Sequence, residues 1–256
     1  MNKIEVHMLK KILDKSKLIS LEEESHTYTL LNSTIEFKSV TEFIHTFFKP
    51  FDEKKIAKKL TQTNLKYKGM SVEELIGSWN KRRDRGTIVH KQIEDYINSN
   101  FIISELEFNN LDPKTQQGIN FIKKKCLKNT NKLFSEVMIY SEELKLAGTI
   151  DLIVYNEEKN HISLIDWKTN KRINKSSFNN QKGTKFPLNN MDDCNFTHYN
   201  LQLSMYQYIL EKYYNVNVNG LFLVHLNEQD YNYKNYMCDY KKNMIIQMIN
   251  ELLNIK

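Results

Sequence analysis

The sequence is poor in the residues that interrupt or cross-link a chain. Its 256 residues include only 7 glycines and 3 prolines, too few for long flexible linkers between domains. The three cysteines, Cys126, Cys194 and Cys238, are far apart and contain no C-x-x-C pair. An odd number at this spacing predicts reduced thiols, and it leaves too few ligands for a four-cysteine zinc site or an iron–sulfur cluster.

Long apolar runs are also missing. No stretch approaches the roughly 18 consecutive apolar residues of a membrane span, and the N-terminal segment does not resemble a signal peptide. We therefore expect a soluble intracellular protein with no membrane partner. The net charge of +6 is compatible with a nucleic-acid partner, because Lys and Arg displace counterions from phosphates.

Helical patterns are spread along the chain. Apolar residues recur at helical spacing in five segments: residues 1–20, 86–98, 113–128, 201–214 and 241–253. Side chains suited to N-capping mark three further helix starts: Ser39 or Thr41, Asp52, and Ser71 with Glu74. Between residues 60 and 100 these signals predict two separate helices, one beginning at the Ser71 capping box and one beginning at Gly86.

Strand patterns are concentrated in the second half. Segments rich in β-branched and aromatic residues predict strands: residues 26–30, 35–37, 134–140, 148–155, 162–168, 220–226 and 233–240. The three strands between residues 134 and 168 are joined by polar turns, which predicts an antiparallel meander. With the helices, the pattern indicates an α/β fold with a mixed sheet flanked by helices, without internal repeats.

Three charged residues stand within apolar strand patterns. Asp151 interrupts the apolar run from Ile150 to Val154, and Asp166 and Lys168, two residues apart, share one strand face. Ionised groups in such strands are costly unless they are paired or bind a metal. Two nearby carboxylates favour Mg²⁺ or Mn²⁺, which would polarise a phosphate and lower the pKa of a bound water. A structural ion pair between Asp166 and Lys168 is the alternative.

Four motifs occur in an order that resembles the PD-(D/E)XK nuclease superfamily, specifically its RecB-like exonuclease branch. In chain order they are Arg85-Gly86-Thr87-Ile88-Val89-His90, Gly148-Thr149-Ile150-Asp151, Asp166-Trp167-Lys168-Thr169 and Gln202-Leu203-Ser204-Met205-Tyr206. The N-terminal Lys38-Ser39-Val40-Thr41 is similar to a segment of mitochondrial genome maintenance exonucleases and their phage and giant-virus relatives. This resemblance implies either a cytoplasmic protein or a viral or phage protein that acts in its host cell. The resemblance implies one nuclease domain with a restriction-endonuclease-like core, in which residues 1–84 form a mostly helical extension and residues 85–256 the catalytic core.

The resemblance also implies roles for the motif residues. The catalytic residues would be Asp151, Asp166 and Lys168. The ligands of Mg²⁺ or Mn²⁺ would be His90, Asp151, Asp166 and the backbone carbonyl of Trp167. Glu136, in the preceding strand, would bind a second metal or hold Lys168, with a structural role as the alternative. Glu94, one turn after His90, would orient the imidazole or simply lie on the solvated helix surface.

A second set of residues is expected to contact nucleic acid: Gln202, Tyr206, Arg85, Ser39, Thr41, Lys171 and Arg172. Gln202 and Tyr206, at i and i+4, share one helix face and would contact either the active site or the DNA backbone. Simple helix capping explains Ser39 or Thr41 equally well. Lys171 and Arg172 open a polar, basic stretch from residue 170 to residue 199, which is either a solvated loop or an arch that contacts DNA beside the metal site.

The expected function is hydrolysis of DNA phosphodiester bonds with Mg²⁺ or Mn²⁺, by an exonuclease acting on single-stranded ends in replication, repair or recombination. Phe178, Phe186 and Phe196 in the basic stretch suit base stacking, or they anchor the loop. One alternative is an RNA endonuclease of the cap-snatching kind, which shares the His, Asp, acidic and Lys groups. The other is a non-catalytic nucleic-acid-binding module, and the intact acidic residues and lysine speak against it.

Overall fold

The computed structural model describes residues 3–22, 25, 27–230 and 232–254, with side chains from residue 9 onward. Its helices in these ranges are α1 (Lys3–Ser16), α2 (Val40–His45), α3 (Glu53–Thr63), α4 (Val72–Asn98), α5 (Glu105–Asn110), α6 (Pro113–Phe121), α7 (Asn195–Ile209) and α8 (Lys242–Leu253). Its strands are β1 (Ile19–Glu22), β2 (Thr27–Leu30), β3 (Glu36–Ser39), β4 (Asn131–Ser141), β5 (Leu146–Asn156), β6 (His161–Lys168), β7 (Val218–His225) and β8 (Lys234–Cys238).

The strands form one mixed sheet in the order β1-β2-β3-β5-β6-β7-β8, and β4 pairs with the remaining edge of β5. Strands β4, β5 and β6 are antiparallel neighbours, which confirms the predicted meander. Strand β3 runs parallel to β5, and β7 runs parallel to β6. The sheet and its flanking helices confirm the predicted α/β class.

The sheet forks at β5. Strand β3 pairs with β5 at Leu146 and Ala147, and β6 pairs with β5 only from Leu152 onward. On this edge of β5, residues 148–151 have no strand partner among the described residues, which leaves a gap between β3 and β6. The other edge of β5 pairs with β4. Asp151 lies at the end of this gap, where its carboxylate reaches the backbone of β6 in place of a ladder hydrogen bond.

Helices cover both faces of the sheet. On one face α2, α7 and α8 bury apolar side chains against β5, β6 and β7, for example Phe43, Leu203 and Ile245. On the other face α4 and α6 pack Ile93 and Ile119 against the sheet. Each such burial stabilises the fold by about 1.5–3 kcal/mol. None of the described helices combines the length and the apolar character that a membrane crossing needs.

The predicted helix caps are confirmed at three sites. The Ser39 side chain accepts a hydrogen bond from the Glu42 N–H at 3.0 Å, which makes Ser39, and not Thr41, the cap of α2. Asp52 caps α3 in the same way. Ser71 and Glu74 form the complete capping box that begins α4. These interactions are local, so the sequence alone is sufficient to predict them.

Two predicted boundaries are wrong. Helix α4 runs without a break from Val72 to Asn98, where two helices were expected. The intervening residues 80–85 are mostly Lys and Arg, which are good helix formers. The proposed boundary at residue 85 therefore falls inside α4; the single nuclease domain itself stays a prediction. The N-terminal helix ends at Ser16, and Ile19 pairs with Leu30 in the sheet. Residue 26 of the expected strand lies outside the described residues.

Candidate active site

Three side chains that can bind a metal converge at the fork in the sheet. His90 from α4, Glu136 from β4 and Asp151 from β5 each offer one ligand atom, and these atoms lie within 4.8 Å of one another. The His90 Nδ1 atom is 3.6 Å from Asp151 Oδ2. One imidazole nitrogen and two carboxylate oxygens form a donor set that fits Mn²⁺ or Mg²⁺.

Gly86 sets the distance between α4 and the sheet. A Cβ atom at this position would lie 2.9 Å from Thr169 Oγ1, which follows Lys168 at the end of β6. Only a residue without a side chain permits this approach unless Thr169 moves. His90 lies four residues further along the same helix face, so the close contact at Gly86 brings the imidazole to the metal group.

Glu136 reaches the site from a distorted position in β4. Its φ is +50°, in the left-handed region that is unfavourable for residues with a Cβ. The pairing of β4 with β5 is interrupted here, because Ser135 pairs with Leu152 and Val137 with Ile150, while Glu136 and Asp151 between them do not pair. Such a conformation costs about 1–3 kcal/mol and persists only where the surroundings impose it. The sequence left a structural role open for Glu136, and the structure brings its carboxylate to His90 and Asp151.

Asp151 is held in place by the backbone of β6. Its Oδ2 atom accepts a hydrogen bond from the Trp167 N–H at 2.7 Å. This bond replaces the ladder hydrogen bond that β5 no longer supplies beyond Leu152. The Trp167 backbone also contacts the His90 imidazole, so the carbonyl expected as a further ligand lies beside the metal group.

Asp166 and Lys168 form a second, more buried pair beside the metal group. Lys168 Nζ lies 2.7 Å from Asp166 Oδ2, and both side chains project from one face of β6, as their spacing predicted. The ammonium also lies 4.4 Å from the centre of the Tyr199 ring. The expected metal ligands are therefore divided between two groups. Among the described residues Asp166 is not one of the three that converge, and its carboxylate is held by Lys168 instead.

Burial gives the site its electrostatic character. It raises the pKa of Asp151 and of Asp166 to about 6, and burial with the nearby Asp151 charge raises the pKa of Glu136 to about 9. Burial and the Lys168 charge lower the pKa of His90 to about 4, so its imidazole is neutral and able to bind a metal at pH 7.

Lys168 keeps its proton. Burial acts to lower its pKa, but Asp166 and Asp151 outweigh that effect and hold the pKa above its usual value. A protonated lysine is suited to stabilise negative charge that develops on a phosphate.

Two motifs meet in one packing contact. A Cβ atom on Gly148 would lie 2.5 Å from the Tyr206 ring, so the glycine of the second motif makes room for the tyrosine of the fourth. Tyr206 is only 3% exposed, and its hydroxyl accepts a hydrogen bond from Gln202 Nε2 at 2.9 Å. Tyr206 thus packs against β5 and is too buried to contact a DNA backbone. Gln202, in contrast, is half-buried.

The other expected nucleic-acid contacts lie in different surroundings. Arg85 donates to Asp112 Oδ1 at 3.1 Å and also pairs with Glu228, so its charge is already neutralised. Lys171 and Arg172 are exposed, as is Thr41, and Ser39 is occupied as a helix cap. Glu94 pairs with Lys91 at 3.0 Å on the helix surface.

Sequence reasoning missed Tyr199. Tyr199 lies in the first turns of α7, where its partly buried ring covers the Lys168 ammonium. The available signal was its position three residues before Gln202, which places both side chains on one face of a helix.

Comparison with known proteins identifies the family. The family model of the PD-(D/E)XK nuclease superfamily matches residues 58–251, which is most of the chain. The chain belongs to this superfamily, as the order of its four motifs had indicated. Membership implies a metal-dependent nuclease that acts on nucleic acid, and the His90, Glu136 and Asp151 group provides a place for the metal.

The solved structures similar to this chain include one described as the crystal structure of SSO0001. The two share 15% sequence identity and superpose with a TM-score of 0.41, over 100% of this chain and 88% of that chain. A similarity with this identity and TM-score does not indicate an activity. None of the curated proteins compared with the chain matches it.

Proposed function

We propose that this protein is a Mg²⁺- or Mn²⁺-dependent deoxyribonuclease that removes nucleotides from single-stranded DNA ends. The observation that carries the proposal is the convergence of His90, Glu136 and Asp151 next to the Asp166–Lys168 pair. Ionisable side chains buried at the fork of a sheet are unfavourable unless they are paired or bind a metal. They are suited to a divalent cation and a phosphate, the two groups that phosphodiester hydrolysis brings together.

The residues of the chain divide the chemistry among them. His90, Glu136 and Asp151 would hold the ion, which when bound polarises the phosphate and lowers the pKa of a water molecule. Lys168 donates hydrogen bonds to the phosphate as its negative charge increases in the transition state. Asp166 fixes the position of the Lys168 ammonium at 2.7 Å, and the Tyr199 ring covers the ammonium from the side of α7.

Action on single strands is supported by the loop that follows β6. Phe178 is 74% exposed and Phe186 is 56% exposed in a segment that also carries Lys171 and Arg172. Exposed rings in a basic loop suit base stacking with backbone tracking, which is tolerant of sequence. Phe196 differs from the other two, because Lys175 lies over its ring at 5.3 Å and its ring packs against Tyr236. The preference for ends rests on the resemblance of the four motifs to exonucleases.

A second candidate is an RNA endonuclease of the cap-snatching kind. The observation that favours it is the entry of Glu136 into the metal group, which completes a set of His, Asp, two acidic residues and Lys. Both candidate functions use the same site, so only the rates of cleavage of different substrates distinguish them. Parallel assays of single-stranded DNA and RNA of one sequence separate them.

The test is cleavage of four internally labelled substrates of matching sequence: linear single-stranded DNA, closed circular single-stranded DNA, linear duplex DNA and linear single-stranded RNA. Each is incubated with Mg²⁺, Mn²⁺ or EDTA. The proposal expects stepwise shortening of the linear single strand with either ion. Equal rates on circular and linear single strands would refute end dependence, and faster cleavage of RNA would favour the second candidate.

A further inference from the structure

One face of α4 leads from the candidate active site to an exposed pair of aromatic rings. Trp79, Arg82, Gly86 and His90 are three or four residues apart, so they lie along one face of the helix. Gly86 packs against Thr169 and His90 belongs to the metal group, so this face is continuous with the site. At 1.5 Å per residue, the distance from Trp79 to His90 is about 16 Å.

The aromatic pair stands at the outer end of this face. The Trp79 and Phe51 ring centroids are 6.1 Å apart and the rings are tilted by 52°. Phe51 is 67% exposed and Trp79 is partly exposed. Rings that remain in contact with water offer their faces to stacking partners, and every nucleic-acid base has such a face.

Four cations cluster around Lys171, and one of them, Arg82, lies on α4 between Trp79 and His90. Lys66 follows α3, Arg82 lies on α4, and Lys171 and Arg172 open the loop after β6. The pKa of Lys171 is lowered, chiefly by Lys66 within hydrogen-bonding reach and also by Arg172 and Arg82. In the described part of the chain no carboxylate forms an ion pair with any of the four. Like charges held together in this way repel each other, and phosphates would relieve the repulsion.

We propose that this surface is the track along which a single-stranded nucleic acid reaches the active site. We call it the α4 track and define it as Phe51, Lys66, Trp79, Arg82, Lys171 and Arg172. The cations would bind successive phosphates and the two rings would stack a base. The proposal rests on the nuclease function proposed above and adds the route of the strand. At 3.4 Å per stacked nucleotide, 16 Å corresponds to about five nucleotides between the metal group and the stacked base.

The test measures binding in an Asp151→Asn background, in which cleavage is not expected to interfere. Fluorescein-labelled oligothymidylates of about 4 to about 16 nucleotides are titrated with Mn²⁺ present, and binding is followed by anisotropy. Phe51→Ala and Trp79→Ala should each weaken binding of the longest strand about tenfold. The loss should shrink as the strand becomes shorter than about five nucleotides, because shorter strands cannot reach the rings.

Charge variants test the cationic part of the α4 track. Arg82→Gln should lower the slope of log affinity against log salt concentration by about 0.7, the value for one phosphate contact on a single strand. Lys81→Gln is the matched control, since it removes one positive charge from the opposite face of α4 and should change neither affinity nor slope. Trp79→Phe should recover most of the affinity lost in Trp79→Ala, which separates stacking from damage to the fold.

Wild-type affinity of Phe51→Ala and Trp79→Ala for the longest strand would overturn the α4 track, as would an equal loss at every length. Failure of the nuclease proposal has a different signature. In that case the wild-type protein would cleave no strand with Mg²⁺ or Mn²⁺, while the length-dependent loss of binding would still be measured.

Discussion

At the scale of single residues, Glu136 combines backbone strain with an unfavourable charge. Its φ is +50° and the pKa of its carboxyl is raised to about 9 by burial and by Asp151. Between about pH 4.5, the ordinary value, and pH 9, the folded protein binds this proton more strongly than the unfolded protein does. Metal-free stability should therefore fall as the pH rises through this window. A divalent cation would offset that loss, because it replaces the proton.

The first prediction concerns this carboxyl. In EDTA at pH 8, Glu136→Gln should raise the free energy of unfolding by at least about 1 kcal/mol, and at pH 5 the gain should be smaller. The same variant should lose the rise in melting temperature that Mn²⁺ gives the wild-type protein. Urea denaturation measures the first effect, and thermal denaturation with and without Mn²⁺ measures the second. Glu143→Gln, which breaks only a surface ion pair with Lys212, is the control. A Glu136→Gln protein less stable than this control at pH 8 would contradict the account.

The second prediction concerns Lys168. Lys168→Ala should lower the cleavage rate at least about a hundredfold, because it removes charge stabilisation in the transition state. It should also destabilise the fold by about 3 kcal/mol at neutral pH, since Asp166 loses the partner of its buried charge. The double variant Lys168→Ala with Asp166→Asn should regain stability and remain inactive. Near-normal turnover by folded Lys168→Ala protein would remove Lys168 from the chemistry.

The third prediction concerns His90. Its pKa of about 4 keeps the imidazole neutral at pH 7, and a nitrogen ligand favours Mn²⁺ over Mg²⁺ more than an all-oxygen site does. Calorimetry on His90→Ala should show a larger loss of affinity for Mn²⁺ than for Mg²⁺. His161→Ala, at the first residue of β6 and the opposite end of that strand from Lys168, supplies the comparison. Unchanged Mn²⁺ affinity in His90→Ala would give His90 a purely structural role.

At the scale of elements, the contact of α7 with β5 supports the strand that carries Asp151. Gly148→Ala would place a Cβ atom 2.5 Å from the Tyr206 ring, so it should destabilise the protein by about 1–3 kcal/mol. Adding Tyr206→Leu should recover part of the loss, because the smaller side chain vacates the space. Gly77→Ala in α4 meets no atom within 4 Å and should be neutral or stabilising. Thermal denaturation of the three variants measures these changes in stability. A Gly148→Ala protein as stable as the wild type would contradict this packing.

Elements defined by local interactions were predictable from the sequence, and elements defined by distant partners were not. The caps at Ser39, Asp52 and Ser71 each depend on residues three positions away. The strand β1 depends on pairing with β2, which its four residues do not reveal. The place of Glu136 in the site depends on its φ and on the interrupted pairing with β5. No periodicity in the sequence reports either feature, whereas the shared face of Asp166 and Lys168 follows directly from strand geometry.

At the scale of the whole molecule, the fork of the sheet determines where the chemistry can occur. It opens between β3 and β6 on one edge of β5, and helix α4 closes against the end of β6 at Gly86. The metal group thus draws on α4, β4 and β5, and the lysine on β6. An ion bound at this junction would link both layers of the fold, so metal binding and stability should be coupled throughout the molecule.

The central claim is that the carboxylate of Asp151 at this fork is required for metal-dependent cleavage of nucleic acid. The most direct measurement compares wild-type and Asp151→Asn protein on end-labelled single-stranded DNA with Mn²⁺, with circular dichroism to establish that both are folded. The account predicts cleavage by the wild-type protein that EDTA abolishes, and a rate at least about a thousandfold lower for Asp151→Asn. Cleavage by folded Asp151→Asn at the wild-type rate, or cleavage that continues in EDTA, would contradict it.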